Sequence, residues 1–283
     1  MRRLSRLSNE TWKYMILLII ISTIVYSSLY TYQPFYRLKD FSFDISSGKF
    51  YKNWNSTLGF DHIYVINSSS HSDRMRDAAR DKMRYAAHKL DLKLDVFPAI
   101  SYDDDHALEE FYPDSKLDFS YKATYIDHYR IYQSIIRNRY RNALILDDNL
   151  DFEFNITSIM FNVHKILPAD WDLLYLGFCN RWEGVYSNPL PDDNNSSVYK
   201  IFESKRPYCT YAYAVSSTGA LKLMKNLVPT TFPIDFDLVN MIQSEQVSSY
   251  TIVPPLIVQL RPFEGENFKK FHSKFNIRKI ETF

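Results

Sequence analysis

Glycine is scarce in this chain, with 6 residues among 283, and no glycine-rich phosphate-binding motif occurs. Such motifs need several glycines because the backbone must turn sharply and approach the phosphate closely. The strings that mark a serine nucleophile or a zinc-binding helix, GxSxG and HExxH, are missing as well. These absences exclude a P-loop, a glycine-rich dinucleotide-binding turn and the common hydrolase nucleophile motifs.

The chain has almost no net charge, because 34 Lys and Arg residues stand against 33 Asp and Glu residues. A nucleic-acid-binding protein usually concentrates positive charge that attracts a polyphosphate backbone. We therefore expect no nucleic-acid partner. The abundance of Tyr (22) and Phe (20) predicts a folded rather than a disordered chain.

Only two cysteines are present, Cys179 and Cys209. This number excludes a small scaffold held together by several disulfides. Two alternatives remain open, which are one disulfide bridge in an oxidising compartment and two buried free thiols.

One long apolar run without charge lies near the N-terminus, at residues 15–30. A helix needs about 20 apolar residues to cross a bilayer, and this run reaches that length with its aromatic flanks. Three arginines and a lysine precede it, and the positive-inside tendency keeps them in the cytosol. We predict a single-pass type II protein of the Golgi or ER membrane, with a cytosolic tail at residues 1–14 and a transmembrane anchor at residues 15–32. A cleaved signal peptide is the alternative.

Residues 33–58 mix Pro, Ser, Lys and aromatic residues without periodicity, which predicts a stem that leads from the membrane to a folded domain. The folded domain is expected over residues 59–283, on the lumenal side. N-glycosylation triplets at Asn55, Asn194 and Asn195 agree with export of this part of the chain.

Strand and helix patterns alternate in the predicted domain. Apolar and β-branched runs predict strands at residues 62–67, 94–100, 143–146, 172–176 and 211–215. Helical patterns cover residues 74–90, 123–139 and 217–227. This order predicts an α/β fold with a mixed, mostly parallel sheet flanked by helices.

An acidic segment directly follows the strand predicted at residues 143–146. Ligands of parallel sheets bind beyond the carboxyl ends of the strands, so these side chains are expected to face a ligand. Oxygen atoms of Asp147, Asn149 and Asp151 can bind a hard divalent cation, Mn2+ or Mg2+. The alternative is an acidic turn that only caps the following segment. The similar run at residues 103–105 is interpreted as a solvated charge cluster.

A series of short strings occurs in a fixed order between about residue 61 and residue 259. They are IYVIN (63–67) with DR (73–74), FPAI (97–100), DH (127–128), ALILDD (143–148), WDLLYLG (171–177), YAYAVS (211–216) with GA (219–220), and PPL (254–256) with Gln259. Together they resemble glycosyltransferase family 25, the lipopolysaccharide-type and collagen-type glycosyltransferases, and in particular its fungal membrane-anchored members.

The resemblance implies a GT-A-like, Rossmann-related fold. It also implies metal-assisted transfer of a hexose, with inversion, from a nucleotide-sugar donor to a hydroxyl of a glycan or glycoprotein acceptor. Asn67, Arg74 and His128 are the candidate substrate-binding residues; a guanidinium such as that of Arg74 can bind two phosphate oxygens at once. Asp147 stands where the family usually has Glu, and Asn149 where it has a second Asp. The loss of charge at Asn149 weakens the expected metal site, and Asp151 can compensate for it.

An inverting transfer also needs a general base that takes the proton of the acceptor hydroxyl. Asp235 and Asp237 lie between apolar residues, and Asp235 is the candidate base, with Asp148 as the second candidate catalytic carboxylate. The alternative roles are a helix cap for Asp235, a structural histidine for His128 and a surface position for Arg74. The rival hypothesis for the whole chain is a catalytically inactive sugar- or nucleotide-binding member of the same fold, which the change at Asn149 favours.

Overall fold

The computed structural model describes residues 41–44, 49–52, 56–67, 74–101, 104, 106–108, 114–179, 188–191, 198–227 and 232–260. The chain divides into two units, Met1–Asn53 and Trp54–Phe283. In the first unit, β1 (Phe41–Asp44) pairs antiparallel with β2 (Lys49–Lys52), within the predicted stem. The predicted anchor at residues 15–32 lies outside the described residues. No helix in the described ranges has both the length and the apolar character needed to cross a membrane.

The second unit alternates strands and helices. Its elements are β3 (His62–Asn67), α1 (Arg74–Lys89), β4 (Asp95–Pro98), α2 (Phe119–Arg137), β5 (Asn142–Asp147), β6 (Leu150–Phe152), α3 (Ile156–Ile166), β7 (Leu173–Tyr175), β8 (Lys200–Glu203), β9 (Ala212–Ser216), α4 (Ser217–Asn226), α5 (Ile234–Gln243), β10 (Ser249–Val253) and β11 (Ile257–Gln259). Every strand and helix that the sequence predicts within residues 59–283 is present, with ends that differ by a few residues.

Seven of the described strands form one sheet in the order β4-β3-β5-β9-β7-β10-β8. β3 runs parallel to both β4 and β5, and β7 runs parallel to β10. β9 lies antiparallel between β5 and β7, and β8 lies antiparallel to β10 at one edge. All strands except β8 and β9 therefore share one direction. The predicted α/β fold with a mixed, mostly parallel sheet is confirmed.

Two hydrophobic cores cover the two faces of the sheet. Side chains alternate along β5, so Leu144 and Leu146 pack into one core while Ala143 and Ile145 pack into the other. The first core includes residues of α1 and α3, and the second includes residues of α2, α4 and α5. Full burial of a Leu or Ile side chain contributes about 1.5–3 kcal/mol to the free energy of folding. Because β5 buries such side chains on both faces, both cores stabilise it.

A small two-stranded sheet follows the carboxyl end of β5. β6 pairs antiparallel with β11, so that Leu150 lies opposite Gln259 and Phe152 lies opposite Ile257. The backbone N–H of Leu260 also donates to the carbonyl oxygen of Asn149 at 2.7 Å. This pairing brings the last described part of the chain next to the acidic segment.

Candidate functional site

A cavity of about 430 Å3, hereafter the first cavity, opens at the carboxyl ends of β3 and β5. Ligands of parallel sheets bind at such a position. The lining residues come from these strands, α2, α5, β11 and the loops beside them. They are Ile66, Ile100, Ser120, Tyr121, Ala123, Thr124, Asp127, His128, Asp147, Cys209, Thr210, Tyr211, Pro233, Ile234, Asp235 and Gln259. Three aspartates and one histidine therefore line a single cavity.

Asp147 is the last residue of β5 and lines the first cavity. Its strand is central, because β3 and β9 flank it and the four residues of ALIL are fully buried. The Asp147 backbone N–H donates to the carbonyl oxygen of Tyr211 at 2.8 Å. This bond holds the end of β5 against the segment before β9. A ligand in the first cavity can therefore reach Asp147.

Asp148 lines a second cavity of about 220 Å3, which also includes Asn67, Arg80 and Arg84. Its side chain is 4% exposed, and its Oδ2 accepts a hydrogen bond from Arg80 Nε at 2.9 Å. The Arg80 guanidinium also donates to Asp77, one turn earlier in α1. The structure therefore gives Asp148 an ion pair that joins the acidic segment to α1. Asp148 is not among the residues that line the first cavity.

The other predicted metal ligands, Asn149 and Asp151, differ from Asp147 in their surroundings. Gln259 lines the first cavity and donates a long hydrogen bond, 3.4 Å, to Asn149 Oδ1. Asp151 is buried in β6, where its Oδ1 accepts the backbone N–H of Phe152 at 2.9 Å. Within the described part of the chain, no group of three or more Asp, Glu, His or Cys side chains is arranged to hold a metal ion. Of the three predicted metal ligands, only Asp147 lines the first cavity, and Asn149 is joined to its lining through Gln259.

Asn67 is the last residue of β3 and lines the second cavity. Its Oδ1 is buried and has no hydrogen-bond partner in the ranges that the structure describes. Arg74 is the first residue of α1, where the structure describes only the backbone. His128, the third candidate for substrate binding, lines the first cavity. Asn67 and His128 therefore belong to different cavities.

His128 lies on α2 and is 1% exposed. Its Nδ1 lies 2.8 Å from the hydroxyl of Tyr213, and that hydroxyl lies 2.6 Å from the hydroxyl of Tyr132. Burial lowers the pKa of His128 to about 3 and raises the pKa values of both tyrosines. All three groups therefore stay neutral at physiological pH.

Asp127 precedes His128 on α2 and also lines the first cavity. Its side chain is 5% exposed, and its Oδ1 accepts the backbone N–H of Ile100 at 2.9 Å and lies 3.7 Å from Arg130. Burial raises the pKa of Asp127 to about 7, while the Ile100 N–H and the Arg130 charge act in the opposite direction. Asp127 can therefore gain or lose a proton near neutral pH.

Asp235 lies in the first turn of α5 and lines the first cavity. Its Oδ1 accepts a hydrogen bond from the Thr210 hydroxyl at 2.8 Å. Burial raises the pKa of Asp235, and hydrogen bonds from Thr210 and from the backbone of Cys209 oppose that change. Asp237 instead accepts a hydrogen bond from the hydroxyl of Tyr125 at 2.6 Å. The two carboxylates are thus separated, and only Asp235 lines the cavity.

A disulfide joins Cys179 to Cys209, with their Cα atoms 5.8 Å apart. Of the two alternatives that the sequence left open, the structure contains the bridge. Cys209 lines the first cavity and has a left-handed backbone conformation, with φ of 77°. The bridge therefore constrains the segment before β9. Thr210 lies in this segment and donates its hydrogen bond to Asp235 from there.

Asp127, Thr210 and Tyr211 are among the lining residues to which the sequence assigned no role. Asp127 did carry a signal, because it belongs to the DH string at residues 127–128. Tyr211 belongs to the YAYAVS string but carried no indication of a place in the site. Thr210 carries no local signal, since its position depends on the disulfide at Cys209. Gln259 was noted only as part of the closing motif.

No family model matches the chain. Procollagen galactosyltransferase 2 of Homo sapiens is 23% identical over 214 residues, which cover 68% of this chain and 32% of that protein. A glycosyltransferase 25 family member of Drosophila pseudoobscura pseudoobscura is 26% identical over 202 residues, covering 64% and 30%. Probable inactive glycosyltransferase 25 family member 3 of Bos taurus is 23% identical over 208 residues, covering 64% and 33%. The chain spans about a third of the length of the curated relatives that it matches.

Among solved structures, mouse xyloside xylosyltransferase 1 in its apo form aligns over 65% of this chain and 73% of that chain, with 11% identity and a TM-score of 0.30. That score is too low to support any argument about fold or site. The sequence similarity to the proteins named above is what supports a relationship to glycosyltransferases. At 22–26% identity over 64–69% of its length, the chain is similar to procollagen galactosyltransferases and to proteins named as glycosyltransferase 25 family members, which agrees with the resemblance of its motifs.

Proposed function

We propose that this protein is a glycosyltransferase that moves a hexose from a nucleoside diphosphate sugar to a hydroxyl of a glycan or glycoprotein, with inversion at the anomeric carbon. The observation that carries the proposal is that Asp147 and Asp235 line one cavity. Asp147 lies at the end of a central strand, where a bound ligand is expected. Asp235 has the raised pKa of a buried functional acid. Similarity to family 25 proteins supports the same assignment.

A divalent cation, Mn2+ or Mg2+, is part of this proposal. Mg2+ is usually held by one or two carboxylates, and substrate phosphates and water complete its coordination. Asp147, with the amide oxygens of Asn149 and Gln259 beside it, fits a cation that binds together with a diphosphate. When bound, the cation would stabilise the negative charge of the leaving diphosphate. Asp151, the remaining predicted ligand, is buried in β6 and is not among the residues that line the first cavity, so it has no direct part in the proposed cation site.

Asp235 is the proposed general base. In the proposed step the acceptor oxygen attacks the anomeric carbon, its proton moves to the Asp235 carboxylate, and the bond between that carbon and the diphosphate oxygen breaks. The diphosphate leaves with the electron pair of the broken bond. The hydrogen bond from Thr210 orients the carboxylate for this role. Asp127 supplies a second carboxyl group that titrates near neutral pH on the same cavity.

His128 is proposed to contact the substrate in the first cavity, and Asn67 and Arg74 are proposed to contact the nucleotide at the end of β3 and the start of α1. Asp148 is proposed to position the acidic segment, because its carboxylate is paired with Arg80. This assigns Asp148 an indirect part in catalysis.

The protein is further proposed to reside in the membrane of the Golgi or ER, held by residues 15–32, with the second unit in the lumen. The disulfide between Cys179 and Cys209 supports an oxidising compartment, because cytosolic thiols are kept reduced.

The alternative proposal is a catalytically inactive member that binds a sugar or nucleotide. One observation favours it: Asp147 is the one residue of the acidic segment that lines the first cavity. Asp148 is paired with Arg80 instead, and Asn149 carries no charge. A cation would meet little negative charge there in the absence of a phosphate. One of the family 25 relatives, from Bos taurus, is itself named as probably lacking activity.

Turnover assays on the full chain separate the two proposals. We expect hydrolysis or transfer with at least one nucleoside diphosphate sugar from a panel, and a requirement for Mn2+ or Mg2+. Asp147→Asn removes the charge and keeps the shape, so it should abolish turnover. Asp81→Asn, on the exposed face of α1, should leave turnover unchanged. Nucleotide binding without turnover of any donor would favour the binding protein, and the absence of both nucleotide binding and sugar binding would overturn both proposals.

A further inference from the structure

A buried chain of three polar groups ends at the first cavity. The Tyr132 hydroxyl lies 2.6 Å from the Tyr213 hydroxyl, which lies 2.8 Å from His128 Nδ1. Both tyrosines are fully buried, and His128 is 1% exposed. A neutral histidine carries its proton on one ring nitrogen, and the hydrogen bond at the other nitrogen decides which one. The direction of these two hydrogen bonds therefore decides what His128 presents to a ligand.

Tyr132 fixes that direction. The Tyr213 hydroxyl is the one hydrogen-bond partner that the Tyr132 hydroxyl has in the described ranges. If Tyr213 donated to Tyr132, the Tyr132 proton would have no acceptor. A buried unpaired hydroxyl disfavours that arrangement by roughly tenfold or more. Tyr132 therefore donates to Tyr213, and Tyr213 donates to Nδ1 of His128.

The chain stays neutral from end to end, because burial lowers the pKa of His128 and raises the pKa values of both tyrosines. A neutral imidazole that accepts a hydrogen bond at Nδ1 has its proton on Nε2. We propose that the Tyr132–Tyr213 pair holds His128 as the Nε2–H tautomer, so that His128 donates a hydrogen bond to a ligand oxygen in the first cavity.

This tautomer sets the chemistry that the cavity selects. His128 recognises an atom that accepts a hydrogen bond, such as a phosphate, carbonyl or ether oxygen. Since Nε2 already carries a proton, His128 cannot take one from an acceptor hydroxyl, and proton removal is left to a carboxylate of the same cavity. His128 is thus a specificity-determining residue. The identity of its ligand rests on the proposed function, whereas the tautomer rests on the hydrogen bonds and on the burial of the three groups.

Nitrogen-15 NMR of histidine-labelled full chain measures the tautomer directly. Long-range proton–nitrogen correlations distinguish Nδ1–H, Nε2–H and the doubly protonated ring, and His128→Asn identifies the His128 signals by their loss. We expect the Nε2–H pattern at neutral pH. An Nδ1–H pattern or a doubly protonated ring would overturn the inference.

Tyr213→Phe removes the donor to Nδ1 and should change the His128 pattern to the other tautomer or to a mixture. Tyr64→Phe is the matched control, because it removes a buried hydroxyl that is bonded to another hydroxyl, Ser134 Oγ, at 2.9 Å. The control should leave the His128 signals unchanged. If Tyr213→Phe does not fold, the wild-type spectrum still decides the tautomer.

The ligand half of the inference is tested with UDP, GDP and CMP, each with Mn2+. Saturation with a nucleotide that binds should move the His128 Nε2 signal. Tyr213→Phe should weaken binding by about three- to tenfold, while the Tyr64→Phe control binds like the wild type. Saturation that leaves Nε2 unmoved would overturn recognition by His128. If no nucleotide binds, the proposed function fails, and the wild-type spectrum still decides the tautomer.

Discussion

The Thr210 hydroxyl donates a hydrogen bond to Asp235 Oδ1 at 2.8 Å and so joins the segment before β9 to the first turn of α5. Both residues line the first cavity. The bond orients a carboxylate whose pKa is raised by burial. Thr210 therefore affects any reaction in which Asp235 takes a proton.

Asp235→Asn should lower kcat by roughly 100-fold or more, because an amide cannot take the proton of the acceptor hydroxyl. Donor binding, measured by calorimetry, should stay close to that of the wild type because the change preserves the shape of the side chain. Thr210→Val removes only the orienting hydrogen bond and should lower kcat by about three- to tenfold. If Asp127→Asn lost kcat while Asp235→Asn kept the kcat of the wild type, Asp127 would be the base instead.

Asp148→Asn should lower the free energy of unfolding by about 1–3 kcal/mol, because Arg80 loses the charge of a partner that is 4% exposed. Urea unfolding measures this change. Turnover per folded molecule should stay close to that of the wild type. Asp81→Asn is the control, since its pair with Arg84 is exposed on both sides, and its effect should stay within about 0.5 kcal/mol. Full stability with lost turnover would make Asp148 catalytic, as the sequence analysis predicted.

Asp127 should make the fold less stable as the pH rises from about 4 to about 7. Burial raises its pKa from 3.8 to about 7, so within this window the folded chain keeps a proton that the unfolded chain has released. The stability linked to this proton is present below the window and is lost as pH rises through it. Asp127→Asn keeps an acceptor for the Ile100 N–H and should remove this slope, on the order of 3 to 4 kcal/mol across the window. Urea unfolding at several pH values tests it, and parallel curves for variant and wild type would refute it.

The double variant Cys179→Ser, Cys209→Ser should unfold with a free energy lower by about 3–4 kcal/mol, given the sequence separation of 30 between the cysteines. Its turnover should also fall, because Cys209 adjoins Thr210. Wild-type protein under a reducing agent is the natural comparison and should lose the same stability. Unchanged stability on reduction would show that the bridge does not constrain the chain.

Local sequence pattern predicted most of the fold. The run HIYVIN and the run ALIL are short, apolar and bounded by polar residues, and both are buried parallel strands. The direction of β9 was not predictable from its residues. All five residues are buried, so the strand has no exposed face that would distinguish one direction from the other. Its antiparallel pairing with β5 and β7 follows from the path of the chain around it.

The candidate site was predictable only in part. Asp147 was identified because carboxylates at the end of a central parallel strand face the ligand side of a sheet. The sequence did not predict that Asp147 and Asp148 line different cavities. The position of the Asp148 side chain depends on Arg80, which lies 68 positions earlier in the chain. The raised pKa of Asp127 likewise arises from burial against other elements. Contacts between distant parts of the chain leave no signature in a local motif.

Gln259 reaches Asn149 across 110 positions of the chain, through the pairing of β11 with β6. During translation the ribosome delivers the acidic segment long before this partner. A product that terminates between β10 and β11 would contain all the strands of the main sheet and yet lack Gln259 and the strand that pairs with β6. The acidic segment therefore gains its contacts with β11 only after the strands of the main sheet have been synthesised.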